Sequence, residues 1–317
     1  MTNKGEPGYD VIGDVHGEGT KLIELLTNMG YTNERGYYAH PTRQAIFVGD
    51  LVDRGPEQLL AVRTAKEMHE AGSAHVVMGN HEFNAIAFHT PHPFSPGEHL
   101  RRHSTKNMHQ HEAFLEGVGF GSSDHDDVIE WFTSLPMWIE VDGLRVVHAC
   151  WHEESMSYVD NNATLTRDVL LEASSWASPA FWAIEVLLKG PDVAIDPGYY
   201  DKDGTFRDRA RHAWWEPNPN RALDRVVVPG GVTADETGEV PWPPPTGARI
   251  GQPFIDPYPT HAPPVIFGHY WRTSTPTLTG PNTACVDYSA CKGGPLVAYR
   301  WSGERELTSE HFTSAGH

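Results

Sequence analysis

Two residues able to hold a metal ion, Asp14 and His16, stand two positions apart in DVIGDVHG (10–17), at the end of an apolar run and between Gly13 and Gly17. Alone, that layout also describes a strand-to-helix turn with a helix-capping aspartate. Four further stretches repeat it: GDLVDRG (49–55), GNHE (79–82), VVHAC (146–150) and FGHYW (267–271). Together they offer Asp14, His16, Asp50, Asn80, His148 and His269 as ligands. Carboxylate, imidazole and amide oxygen in one set suit a pair of borderline-to-hard divalent ions such as Mn, Fe or Zn. With one carboxylate shared, two such ions sit about 3.5–4 Å apart and hold a bridging water, which becomes a nucleophile near neutral pH. Two cations would also neutralise a phosphoryl group, so an acidic chain need not exclude one.

Residues this far apart in sequence converge only if a fold gathers them. Tyr9–Gly13 reads as a buried strand, followed by a helix with Leu22, Leu25, Leu26 and Met29 on one face and Gly30 as its stop. Ala45–Val48, a helix from Glu57 to Ala71, a strand at His75–Met78 and a helix opening at GNHE continue the alternation. This implies a largely parallel sheet, whose strand carboxyl ends collect ligand-binding loops at one edge. Farther on, a helix is expected at Val128–Ser134 and a hairpin of Met137–Val141 and Leu144–His148 about Asp142-Gly143. Strands resume at Val265–Phe267, Ala284–Val286 and Leu296–Tyr299. Residues 155–262, with tryptophans, charges and WPPPT at Trp242, read as an insertion covering one face of a single domain spanning 1–317. The proline run reads as a rigid surface loop.

Composition limits the partners. The chain has 317 residues, 39% hydrophobic content and ten tryptophans, enough for a sizeable core. A formal charge of −18 disfavours nucleic acid and anionic membrane surfaces as partners. Three cysteines, Cys150, Cys285 and Cys291, form no disulfide or zinc pattern and fit a reducing compartment. With a polar start and no long apolar run, a cytoplasmic protein is expected. Oligomeric state is not legible.

The ordered set GDVHG, GDLVDRG, GNHE, a histidine after a strand and a Gly-His pair resembles the calcineurin-like metallophosphatases. Within these it is most similar to the phosphoprotein phosphatase branch, which includes bacterial phosphatases and symmetrical diadenosine tetraphosphatases. The resemblance implies an α/β sandwich of two mixed sheets flanked by helices, four layers in all, with a long insertion. It implies that Asp14 and His16 bind the first ion, that Asp50 bridges, and that Asn80, His148 and His269 bind the second. It implies His81 as general acid, Asp53 as the residue that orients and charges it, and Arg54 as the phosphate grip. Glu82 is expected behind them, steadying Arg54. Manganese is the ion the branch favours, with Fe, Zn or Mg as alternatives.

The function this implies is metal-dependent hydrolysis of phosphomonoesters, phosphoprotein or small metabolite, by in-line attack of a hydroxide bridging two ions. A dinucleoside polyphosphate hydrolase is the alternative. A phosphodiesterase is a weaker one, because Gly268-His269-Tyr270-Trp271 lacks the second histidine that many such enzymes carry. An inactive metal-binding module is weaker still, since it has no use for Asp53, Arg54 and His81.

Other residues are read as follows. His148 is preferred to His152 because it ends the apolar run. His89, His92, His99, His103, His109, His111 and His125 are irregularly spaced and read as solvated or satisfied. The resemblance calls for a second phosphate-binding arginine, with Arg207, Arg209, Arg211 and Arg272 as candidates. Asp287 is expected to end a core strand near the site.

Overall fold

The computed structural model describes residues 7–159, 163–201, 204–216, 222–253 and 255–316. The chain divides into two compact units, 1–189 with 263–317, and 190–262.

In the first unit β1 (Gly8–Ile12) leads through α1 (Gly19–Met29) to β2 (Arg43–Phe47), and α2 (Gln58–Glu70) leads to β3 (Ala74–Val76). Three helices follow, α3 (Asn80–His89), α4 (Thr105–Val118) and α5 (Ser123–Ser134). The hairpin β4 (Trp138–Val141) and β5 (Leu144–Val147) comes next, then α6 (Glu153–Met156), α7 (Arg167–Ala173) and α8 (Pro179–Lys189). The second unit holds β6 (Asp192–Tyr200), β7 (Phe206–His212), β8 (Val226–Val227) and β9 (Arg249–Ile250). The first unit resumes with β10 (Val265–Phe267), β11 (Thr283–Cys285), β12 (Leu296–Trp301) and β13 (Phe312–Ala315).

Two mixed sheets build the first unit. One runs β13-β12-β1-β2-β3, with β1, β2 and β3 parallel and the last two strands of the chain antiparallel to their neighbours. The other runs β11-β10-β5-β4, with β11, β10 and β5 parallel and β4 closing the hairpin. Val11, Ile46 and Val48 from the first sheet and Val146, Ile266 and Ala284 from the second share one core. Each is fully buried. Burying one such valine or isoleucine contributes roughly 1.5–3 kcal/mol, and this shared layer holds the two sheets face to face.

The helices follow their sequence patterns. In α1 the apolar face is Leu22, Leu25, Leu26 and Met29, and Gly30 ends it at φ 93°, where a side chain would be strained. Asp142 and Gly143 both take positive φ, as a two-residue hairpin turn requires.

The arrangement serves one edge. The carboxyl ends of β1, β2 and β3, and of β5, β10 and β11, run directly into the segments 13–17, 48–55, 78–82, 148–152, 268–272 and 286–289. Those are the segments that carry the chemistry-bearing residues. Among the described residues, no helix is long and apolar enough to cross a membrane.

The second unit is a small antiparallel sheet, ordered β8-β7-β6-β9, around Ile195, Tyr199, Ala210 and Val232. Trp242 packs on this core and donates its indole N–H to the Pro197 carbonyl at 3.0 Å, which anchors the proline run. Residues 163–189 lie in the first unit, as helices α7 and α8.

Candidate functional site

Asp50 is the hub. Its Oδ2 lies 3.7 Å from His16 Nε2, 3.9 Å from His81 Nε2 and 3.5 Å from His148 Nε2. These separations are too long for hydrogen bonds and suit ligands that share a cation. Two groups of possible ligands meet at this residue: His16, Asp50 and His81, and Asp50, His148 and His269, with the ligand atoms of each group within 4.8 Å of one another. The other oxygen, Oδ1, accepts the His81 backbone N–H at 2.9 Å, fixing the carboxylate.

The imidazoles are held by the backbone so that one nitrogen stays available. His16 pairs through Nδ1 with the Val52 carbonyl at 2.9 Å, and His148 pairs through Nδ1 with the Val48 carbonyl at 2.8 Å. In each case Nδ1 donates to the carbonyl and Nε2 is left facing the site. His16 Nε2 is buried and has no hydrogen-bond partner. His148 Nε2 faces Asn80 Oδ1 at 3.2 Å. A buried nitrogen without a partner, beside a carboxylate, a second imidazole and an amide oxygen, is what a cation would satisfy. Asp14 joins through the backbone of the last motif: the His269 N–H lies 3.1 Å from its Oδ2. Divalent ions therefore fit the residues present, and the donor set is compatible with the borderline-to-hard class read from sequence.

Charge distribution supports the same picture. Burial, then the nearby Asp287 and Asp50 carboxylates, push Asp14 well above the usual carboxylate range. Asp287 is raised by its own burial. Burial opposes ionisation of Asp50 too, but His148 and His81 outweigh it and hold Asp50 below its ordinary value. His16 is driven down to about 3 by burial and by the neighbouring His81, which keeps it neutral.

The backbone here is unusual. His16, Asp50, Asp53, Arg54 and His269 all adopt φ between 46° and 74°. Non-glycine residues rarely enter that region, and clusters of them mark sites where geometry is paid for by the surrounding fold. Glycine serves close approach. A Cβ at Gly268 would meet Asp14 Oδ1 at 2.1 Å, and one at Gly49 would meet the Gly79 backbone nitrogen at 2.3 Å. At Gly13 the space is filled by the Val286 carbonyl, so the missing side chain makes room for a neighbouring strand and not for an ion.

His81 sits beside the hub. Its Nδ1 is 2.5 Å from Asp53 Oδ2. Burial lowers its basicity, but Asp50 and the Asp53 hydrogen bond outweigh that and leave it raised, favouring the imidazolium. Asp53 is held down at about 2: burial opposes its charge, and hydrogen bonds from His111 and His81 prevail. His111, read from sequence as one of several solvated or satisfied histidines, is buried on α4 with Nδ1 2.6 Å from Asp53 Oδ1. No local signal around NMHQHEA marks it; its partner is 58 residues away.

Glu82 differs from expectation. It does not steady Arg54: its carboxylate accepts the backbone N–H groups of Asp50 (2.8 Å), Leu51 (2.8 Å) and Gly79 (2.9 Å), tying the 49–51 turn to the start of α3. Burial, then Asp50, raise it to about 7. Arg54 lies over the Trp271 ring, 5.3 Å from its centre, and Lys292 approaches the same ring at 4.4 Å. Asp287 lies two residues beyond the end of β11 and accepts the Trp271 backbone N–H at 2.7 Å, which fixes the chain at that residue.

Among the remaining candidates, His152 caps α6 through Ser155, away from the ligand role. Arg207 pairs with Asp201, and Arg209 with Asp192, within the second unit. Arg211 donates to the Gly190 carbonyl there. Arg272 lies over Tyr288, and its buried Nε has no hydrogen-bond partner.

The fold agrees with comparison to known proteins. The model of the calcineurin-like phosphoesterase family matches residues 9–269. The chain belongs to the calcineurin-like phosphoesterase family. It is 47% identical over 74 residues to a bis(5'-nucleosyl)-tetraphosphatase PrpE (asymmetrical) of Halalkalibacterium halodurans, covering 23% of this chain and 30% of that protein. The chain thus spans less than a third of the length of that relative. To a symmetrical bis(5'-nucleosyl)-tetraphosphatase of a Marinomonas species it is 24% identical over 315 residues, covering 94% of this chain and 95% of that one. A serine/threonine protein phosphatase of Saccharomyces cerevisiae shares the fold, with a TM-score of 0.50 at 14% identity, over 98% of this chain and 79% of that chain.

Proposed function

We propose that the chain hydrolyses dinucleoside polyphosphates at a dinuclear centre, with phosphomonoesters as poorer substrates. The observation that carries the substrate class is the group at Trp271. Arg54 and Lys292 both lie within 5.3 Å of the centre of this indole, which is 40% exposed. A guanidinium grips phosphate oxygens in bidentate fashion. A second cation across the same ring suits a chain of phosphates, and the exposed aromatic edge suits a nucleoside. The names of the aligned relatives agree with this class, which favours the alternative read from sequence over the phosphomonoester.

In this reading Asp14 and His16 would hold one ion, Asn80, His148 and His269 the other, and Asp50 would serve both. Bound there, the ions, which we take to be manganese, would neutralise phosphoryl oxygens and acidify a water. Arg54 grips the non-bridging oxygens of the phosphate under attack. His81 holds a proton on Nε2 and delivers it to the oxygen that leaves as the phosphoanhydride bond breaks. Asp53 keeps Nδ1 of that ring protonated and its orientation fixed.

The test compares kcat/KM of Mn2+-reconstituted protein on diadenosine tetraphosphate, an aryl monophosphate, an aryl diester and a phosphopeptide. The proposal expects the tetraphosphate to lead by at least about tenfold, about 1.4 kcal/mol in transition-state binding. Preference for the phosphopeptide or monoester would overturn the substrate class, and inactivity on all four would overturn the enzyme reading.

A further inference from the structure

A second histidine cluster lies at the other end of α3 from Asn80 and His81. His89 is the last residue of that helix, and His125 and Asp126 lie in the first turns of α5, which packs against it. Asp126 Oδ1 is 3.9 Å from His89 Nε2 and 3.7 Å from His125 Nδ1. All three ligand atoms lie within 4.8 Å of one another. Neither contact is short enough for a hydrogen bond.

His125 gives the cluster its meaning. The residue is 1% exposed, and its Nδ1, turned toward Asp126, is buried with no hydrogen-bond partner. Phe114 and Phe120 pack on this ring, at 5.7 and 5.4 Å between centroids, and His89 lies at 5.1 Å. Burial, and then the neighbouring His89, lower its basicity, so the imidazole keeps a lone pair to give. A buried polar atom without a partner is destabilising unless something unseen satisfies it.

We propose that His89, His125 and Asp126 bind a transition-metal ion of the zinc type, separate from the candidate dinuclear centre, which fastens the end of α3 to the start of α5. Two imidazoles and a carboxylate are a zinc set, with the fourth position left to water. Magnesium and calcium take oxygen ligands and would not use two imidazoles. Tetrahedral ligands about 2.0–2.1 Å from zinc lie roughly 3.3 Å from each other, so the two separations from Asp126, 3.9 and 3.7 Å, would close by roughly half an ångström through side-chain rotation. His89 and Asp126 are partly exposed, which gives the ion a way in. The apolar rings around His125 shield the site from one side, as hydrophobic surroundings do at metal centres. The role is structural: the ion would brace the helix that carries Asn80 and His81.

The experiment titrates metal-stripped full-length protein with Zn2+ alone and counts equivalents, for wild type and for the surface variants His89→Gln and Asp126→Asn. The wild type is expected to bind one more equivalent than either variant, or to bind it at least about tenfold more tightly. Zn2+ should also raise the wild-type thermal midpoint more than it raises theirs, while Mn2+-supported turnover stays equal in all three. Because both substitutions sit on partly exposed side chains, folded protein is expected, and circular dichroism checks it. Equal zinc stoichiometry and affinity in wild type and both variants would overturn the proposal.

Discussion

His111 Nδ1 lies 2.6 Å from Oδ1 of Asp53, on the carboxylate oxygen that His81 does not use. Asp53 is therefore clamped between two imidazoles. In the proposed mechanism His111 is a positioning residue: it holds the carboxylate that holds His81, the proposed proton donor. Replacing His111 by Phe is expected to lower kcat about tenfold with KM nearly unchanged. In a His81→Ala background the same change should cost almost nothing further, because coupled residues are not additive. Additive losses in the double variant would remove the relay.

His81 itself should matter in proportion to how poor the leaving group is. The account expects His81→Ala to slow an alkyl monophosphate at least about a hundredfold, and a nitrophenyl ester much less, since general acids contribute about 10²–10⁴-fold where a proton is needed. Equal losses on both would refute the assignment of the proton donor.

Glu82 makes a claim about stability. Three buried backbone N–H groups depend on its carboxylate. Glu82→Ala should destabilise the protein by about 2–4 kcal/mol in urea unfolding and weaken Mn2+ binding, because Asp50 sits on the turn that is released. A variant with wild-type stability would show that water replaces the carboxylate.

The second unit has its own pH signature. His212 is 2% exposed, and burial, then the Arg225 charge, lower its imidazole to about 4. The unfolded chain takes up this proton as pH falls through about 6.5, while the folded chain stays neutral until about 4. Stability therefore falls as the pH is lowered through that window and is flat above it. Unfolding followed at pH 7 and pH 5 should show a smaller loss for His212→Leu than for wild type. Identical losses would place the titration elsewhere.

The legible parts of this chain are those where local pattern and chemistry coincide. Asp14, His16, Asp50, Asn80, His148 and His269 each follow a short apolar strand and stand beside a glycine or an apolar turn, so periodicity and residue type point to the same edge. The Asp142-Gly143 turn and the Gly30 stop were readable because only certain residues tolerate their backbone angles. His111 was not readable, because its meaning is a contact made from a helix to a turn 58 residues away. Glu82 misled for a related reason. A glutamate beside an arginine motif suggests an ion pair, yet the fold presents it with three N–H donors. The β6–β7 sheet of the second unit was hidden because FRDRARH alternates charges and an exposed aromatic over a small core, which leaves little hydrophobic signal.

The central claim is that Asp50 serves two ions at once, and metal content tests it most directly. Wild type, Asp50→Asn and His269→Ala would be loaded with Mn2+, dialysed and assayed for bound ions. The account predicts about two ions in wild type, loss of one in His269→Ala, and loss of both together in Asp50→Asn, since a shared carboxylate holds each. An Asp50→Asn protein that keeps two ions at wild-type affinity would contradict it.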